Sequence, residues 1–394
     1  MKETMMYLSS IKSRYFMLLV YLFLIAGATS CRDDHFESDL ADDSIQLSKA
    51  ELIQQALSRL PQTRGVSTLP VRMVTIKDTV TIRCFIIGSM KIDWGDDSTV
   101  LATGYKTYTH IYSDDLPSHG ICIEGSHQAI KHLHVQDNEL IYLDVTNNIN
   151  LQYFDCMRNY LDELDLTDCP NLRTLHAANN ELSFIDITHL SLLETLEIGY
   201  NRLTHIDVSK NFHLRTLQVG SNKITDIDLR ENINLSHIVL SGLSLRTINN
   251  RIISDTSFSL FSNLMFLDIS HTPFTSLDLS DNPLVFGIDI SGSDVMRLDI
   301  SKIKINWLNA AGSRLTDWIY TRVSLENLYN LRIENTPYEK FETNTSYLIS
   351  TLPDRNEPHE NGLTQQGHLY TYSQAIMNPT NLSALTLKNW VVNE

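Results

Sequence analysis

Seven aspartates, Asp144, Asp165, Asp186, Asp207, Asp228, Asp278 and Asp299, fall on one position of a repeating frame, with Asn249 at that position in a longer copy. Carboxylates recurring at a fixed interval are what a calcium ladder or a multi-carboxylate site would need, because unpaired negative charges on coils about 4.8 Å apart repel. Calcium-binding β-helices place their aspartates in glycine-rich turns, and no glycine flanks these. A small hydroxyl residue two positions on, as in Asp207-Val208-Ser209, instead suits an Asx-type turn in which the side chain accepts backbone N–H bonds. The row reads as structural.

A second row shares the frame: His134, Asp155, His176 and Glu197, followed by Gln218, with His132 and Tyr153 beside it. Alternating imidazole and carboxylate can hold a transition metal, but on a β face such a row is more often a self-complementary polar ladder. We assign it no metal and the chain no cofactor. Further along, Phe266, His271, Trp307 and Tyr200 add aromatic surface to the same face, alongside Asp268, Asp289 and Asn309. Aromatics among polar groups are what protein and sugar recognition both use. No GxSxG, HExxH or phosphate-binding loop occurs, so no enzyme activity is expected.

Both rows are positioned by a repeat. Residues 151–171 read LQYFDCMRNYLDELDLTDCPN, and the next three 21-residue copies keep the frame LxxLxIxxNxLxxLDVxxNxx. Each copy should form a coil with a short parallel strand around LxxLxI, the leucines stacking inward and the ninth-position Asn (Asn159, Asn180, Asn201, Asn222) bonding backbone at a corner. Leu243, Thr272, Ser293 and Ser313 replace that Asn later, which predicts a less regular curve there. The copy from Leu235 carries an insertion containing RTINNRIISDTSF, read as a bulge that leaves the core intact.

This frame resembles leucine-rich repeats, in particular the 21-residue repeats of BspA-like Bacteroidota surface proteins and, more distantly, internalins. The resemblance implies a β-rich solenoid with parallel strands on its concave face. It also implies protein binding or adhesion through that face, and the contact surface is then His134, Tyr153, Asp155, His176, Glu197, Tyr200, Phe266, His271 and Trp307. The alternative partner is a glycan, for an accessory of polysaccharide uptake, if Phe266 and Trp307 lie coplanar in an open groove.

The repeat spans 128–341, and 342–394 leave the period. SYLISTLP, GHLYTYS and LSALTLKNWVV are expected to form a helix, a strand and a helix as an α/β cap. Upstream, residues 67–127 alternate with period two and form a small β-sandwich candidate. Asp93-Trp94-Gly95-Asp96-Asp97, with His110-Ile111-Tyr112, resembles the signature of PKD-like domains. Residues 31–66 read as a tether ending in a short helix, SKAELIQQALSRL, that carries a capping-box pattern.

Residues 1–30 have a basic start, an apolar run from Tyr15 to Ile25 and small residues before Cys31, the parts of a secretory signal. GATSC resembles a bacterial lipobox, which implies diacylation of Cys31 and anchoring in the membrane. Cys31-Arg-Asp-Asp resembles the export signal of Bacteroidota surface lipoproteins and implies an outer-membrane, surface-exposed protein. A net charge of −16, from 47 acidic and 31 basic residues, repels nucleic-acid phosphate. The five cysteines lack disulfide-scaffold or metal-finger spacing.

Overall fold

Leucine and isoleucine at fixed positions of each copy point inward, and the chain can bury all of them only by winding each copy onto the last. In the computed structural model this produces a β-solenoid of about 11 turns with repeats of about 21 residues. The structure describes residues 47–60, 71–126, 129–249, 251–252, 258–338, 342–355, 366–371 and 379–393. The signal segment, Cys31 and the tether up to residue 46 lie outside the described residues. From Lys49 onward the chain forms one compact unit.

Each coil contributes a three-residue strand, and these pair in parallel without a slip. His132 faces Tyr153, then Thr174, Thr195, Thr216, His237 and Phe266; one place on, His134 faces Asp155, His176, Glu197, Gln218, Val239 and Asp268. Leu133, Phe154, Leu175, Leu196, Leu217, Ile238 and Leu267 alternate with them and are buried. The strand residues His237–Val239 and Phe266–Asp268 still pair across the long copy. The insertion turns back on itself beside the solenoid, where Thr247–Ile248 pairs antiparallel with Arg251–Ile252.

The corner after each strand requires a left-handed residue, supplied by Asp137, Arg158, Asn179, Tyr200 and Ser221 in the earlier coils. Next to it sits the ninth-position asparagine. Asn180 accepts the Leu161 N–H at 3.1 Å and donates to the carbonyls of Cys156 and Ala177, so one buried amide ties two coils together. Asn159, Asn201 and Asn222 repeat the arrangement.

On the turn side, each aspartate of the first row accepts the backbone N–H two residues on. The acceptor–donor distances are 2.8–3.1 Å for Asp144, Asp165, Asp186, Asp207, Asp228, Asp278 and Asp299. Hydrogen bonds from Thr167, Thr188 and Ser209 hold the carboxyls of Asp165, Asp186 and Asp207 below the usual carboxylate range.

The N-terminal region is an antiparallel sheet joined to the first coil. Strands β1 (Val71–Thr75), β2 (Thr79–Asp93), β3 (Thr99–Ile111) and β4 (His119–Glu124) precede the first two coil strands, β5 (Ile130–His134) and β6 (Leu140–Asp144). β2 pairs with β3, β4 and β5, and β1 with β4 and β6. Trp94 stacks on His110 with centroids 4.9 Å apart, His110 Nε2 lies 2.7 Å from Asp96, and the Tyr112 hydroxyl donates to the Trp94 carbonyl. Helix α1 (Lys49–Arg59) packs Leu52 and Ala56 against β4, where Gly120 leaves no Cβ to meet the Ala56 carbonyl.

At the other end, helix α2 (Glu342–Thr351) precedes a strand, Gly367–Tyr370, that adds to the solenoid sheet. Helix α3 (Pro379–Leu387) stops short of the extent read from the sequence. Asn389 is left-handed, and Trp390–Asn393 becomes a further parallel strand, as its two β-branched valines favour. The Lys388 ammonium caps α2 by donating to the carbonyls of Ile349, Ser350 and Leu352.

Candidate functional site: the outward face of the parallel sheet

The outward residues of the parallel strands form one continuous face with two characters. From His132 to Gln218 it is polar. His134 Nδ1 lies 3.8 Å from an Asp155 oxygen, the Tyr153 hydroxyl 3.1 Å from His176 Nδ1, His176 Nε2 3.7 Å from Glu197, and Gln218 donates to Glu197. The ligating atoms of this row are turned onto one another. Among the described residues no group of three His, Cys, Asp or Glu could hold a metal ion. Burial, with Asp155 nearby, raises the Glu197 carboxyl to about 7, and burial lowers His176 and His132.

From His237 to Trp307 the face is aromatic. His237 stacks on Phe266, and Phe266 on Trp307, with centroids 6.5 and 5.9 Å apart. Trp307 lies two coils from Phe266, and the two rings meet because Gly287 stands between them. A Cβ there would sit 2.9 Å from the Phe266 ring. Phe266 is consequently only 6% exposed, its face spent on its neighbours. The coplanar open platform that would favour a sugar is not formed by these two rings. Beside the stack, Asp268 and Asp289 face each other across adjacent strands, both buried. Burial and the neighbouring Asp289 push the Asp268 carboxyl up to about 7, and burial raises Asp289 as well.

Tyr200 and His271 are not strand residues. Both occupy the left-handed corner, with φ 53°, so they line the rim of the face. The His271 ring lies over Gly292, and Tyr200 is 47% exposed. Cys84, Cys122, Cys156 and Cys169 are buried free thiols, and burial pushes those of Cys84, Cys122 and Cys169 up to about 12.

The face also extends beyond the repeat. β2 runs antiparallel to β5 with Arg83 opposite His134 and Phe85 opposite His132, so the β2–β3 hairpin continues the same surface. Phe85, Tyr105, His132, His134, Tyr153 and His176 form one ring cluster with neighbouring centroids 4.6–6.4 Å apart. The Arg83 guanidinium lies 5.0 Å from the Tyr105 ring centroid and donates to the Tyr105 hydroxyl, and Tyr105 is 51% exposed. The sequence reading missed Arg83, Phe85 and Tyr105. Alternation with buried Cys84 and Ile86 marks the first two as outward, but nothing local shows which strand lies beside them.

No family model matches the chain, and no curated protein does. Parallel strands stacked at the repeat interval decide the class. The chain is a β-solenoid of leucine-rich coils of about 21 residues each. Among solved structures it is similar to the functional domain of InlJ from Listeria monocytogenes, with 22% identity over 61% of this chain and TM-score 0.43. The match spans 64% of that structure. An internalin, InlF, from Listeria monocytogenes is 14% identical over 67% of this chain and 86% of its own, TM-score 0.40. A Leptospira interrogans leucine-rich-repeat protein, LIC12759, is 15% identical over 66% and 83%, TM-score 0.36.

Proposed function

We propose that this leucine-rich-repeat protein recognises a protein partner non-covalently through the continuous sheet face that runs from the β2–β3 hairpin into the concave coils. The carrying observation is the ring cluster around Arg83 and Tyr105. Tyr and Arg are enriched at energetic centres of protein interfaces, and here they stand half-exposed on a rigid hydrogen-bonded sheet. A strand scaffold fixes its side chains before binding, which lowers the ordering cost of association. The collapsed Phe266–Trp307 stack removes the feature that would favour a glycan.

The N-terminal sheet is read as PKD-like, supported by the packed Trp94, Asp96, His110 and Tyr112 set. The protein is read as a lipoprotein anchored through Cys31 at the outer-membrane surface, a reading that rests on the sequence. Among the described residues no helix is long and apolar enough to cross a membrane.

Binding should be measured on immobilised extracellular-matrix and bacterial surface proteins in parallel with a glycan array. Tyr105→Ser combined with Tyr153→Ser should abolish capture of any protein bound by the wild type while the melting temperature stays within a few degrees. Undiminished capture by that variant, or binding confined to glycans, would overturn the assignment. For the anchor, Cys31→Ala protein should leave the membrane fraction, and continued partitioning there would refute it.

A further inference from the structure

Where the hairpin meets the first coil, a cleft of about 360 Å³ opens between β2, β3 and the corner after β5. It is lined by Lys77, Arg83, His134 and three threonines, Thr79, Thr81 and Thr107. Two of these groups are cations without counter-ions. Neither Lys77 nor Arg83 forms an ion pair among the described residues; the Lys77 ammonium donates to the Asp137 carbonyl and Arg83 to the Tyr105 hydroxyl. Several arginines elsewhere on the solenoid are matched to carboxylates, as in Arg158–Asp137, Arg173–Glu194, Arg202–Glu181 and Arg314–Asp294. The first of these pairs takes up the one carboxylate that lines the cleft, since both Asp137 oxygens accept from Arg158. In a chain of net charge −16, the cleft is a local reversal of sign.

We propose that this cleft is a subsite for a carboxylate side chain of the protein partner, held by Arg83 and Lys77 with threonine hydroxyls as further donors. The assignment rests on the sheet face being the recognition surface. Guanidinium and ammonium groups facing hydroxyls suit a small anion with several acceptor oxygens. The volume is ample for an acidic side chain. The strand residues of the sheet face from Tyr153 to Asn309 offer no further lysine or arginine to a repeating polyanion such as an acidic polysaccharide, whereas a protein segment can present one carboxylate here and neutral groups beyond.

The threonine methyls of the cleft report occupancy directly. Full-length protein labelled at threonine methyls is titrated with the peptide acetyl-Ala-Glu-Glu-Ala-amide, its Gln-Gln counterpart, a galacturonate trimer and inorganic phosphate. The glutamate peptide should shift Thr79, Thr81 and Thr107 saturably and the glutamine peptide should not. Lys77→Gln with Arg83→Gln should weaken binding at least about tenfold, and Lys77→Gln alone, which costs only one exposed hydrogen bond, about threefold. Arg246→Gln, a cation on the opposite side, should leave it unchanged. No saturable shift, equal loss in Arg246→Gln, or tighter binding of galacturonate or phosphate than of the glutamate peptide would overturn the proposal. If protein capture is lost in the Tyr105→Ser, Tyr153→Ser variant yet survives in Lys77→Gln, Arg83→Gln, the cleft assignment falls and the face assignment stands.

Discussion

In the coils up to Asn222, a non-glycine residue is held in the left-handed corner and a buried asparagine beside it bonds to two coils at once. In three of the coils from Gly242 onward the same corner is Gly242, Gly292 or Gly312, followed by Leu243, Ser293 or Ser313, while His271, followed by Thr272, holds it in the coil between Gly242 and Gly292. Ser293 Oγ donates to the Ile290 carbonyl and accepts the Val295 N–H, both within its own coil, and Ser313 Oγ has no partner among the described residues. Three of the later coils thus relieve backbone strain with glycine, and all four forgo the inter-coil amide. They recover some of the lost tie on the far side, where Ser276–Asp278, Arg297–Asp299 and Asp317–Ile319 form a second parallel ladder. One corner geometry is therefore reached by two chemistries, which locate the stabilising free energy at opposite edges of the coil.

The sharpest way to break this comparison is Asn180→Ala. It strands the buried Leu161 N–H and takes one of two donors from the Cys156 and Ala177 carbonyls, which still accept from Asn159 and Asn201, so the loss should be about 2 kcal/mol in denaturant titration, against about 1 kcal/mol for Ser293→Ala. Equal costs would show that the amide ladder does not distinguish the halves.

Next comes pH. The carboxyls of Asp268, Asp289 and Glu197 sit above their unfolded values in the folded protein. The folded state therefore keeps protons that the unfolded chain has released, so their contribution is fully present below about pH 4 and is lost as pH rises through about 7. The turn aspartates have the opposite sign: Asp165, Asp186 and Asp207 contribute above pH 3.8 and lose that contribution below it. Melting temperature should peak between these windows, and Asp268→Asn should raise it by several degrees at pH 8 while flattening the slope from pH 5 to 8. An unchanged slope would remove the buried pair from the account.

Smaller again is the corner itself. Gly292→Ala should cost about 1–2 kcal/mol, from its positive φ and from the His271 ring lying where the methyl would go, whereas Ser221→Gly should stay within about 0.5 kcal/mol of wild type. Smallest is Asp207→Ala, which loses one exposed Asx bond and should cost about 0.5–1 kcal/mol while leaving partner capture intact. A binding defect there would move the recognition surface to the turn side.

The coil frame, the turn aspartates and the asparagine corner were legible because they are local: each depends on residues within one period or its nearest copy. The alignment of His134 with Asp155, His176 and Glu197 followed from the same period. What was not legible depends on long-range register or on side-chain volume. β2 could have abutted any strand, so the junction that adds Arg83, Phe85 and Tyr105 to the face was hidden. The Phe266–Trp307 stack turns on the absence of a side chain at Gly287, a residue that carries no chemistry of its own. Trp390–Asn393 pairs as a strand because a neighbouring rung is present to receive it.

A solenoid that ended bluntly at its first coil would present a flat row of unpaired backbone donors and acceptors, on which another copy could polymerise. β2 lies antiparallel across that row, opposite in sense to the coil strands that follow in the same sheet. Pairing with β2 satisfies the open edge of β5, and trimming the hairpin should expose that edge and lower the stability of the first coil.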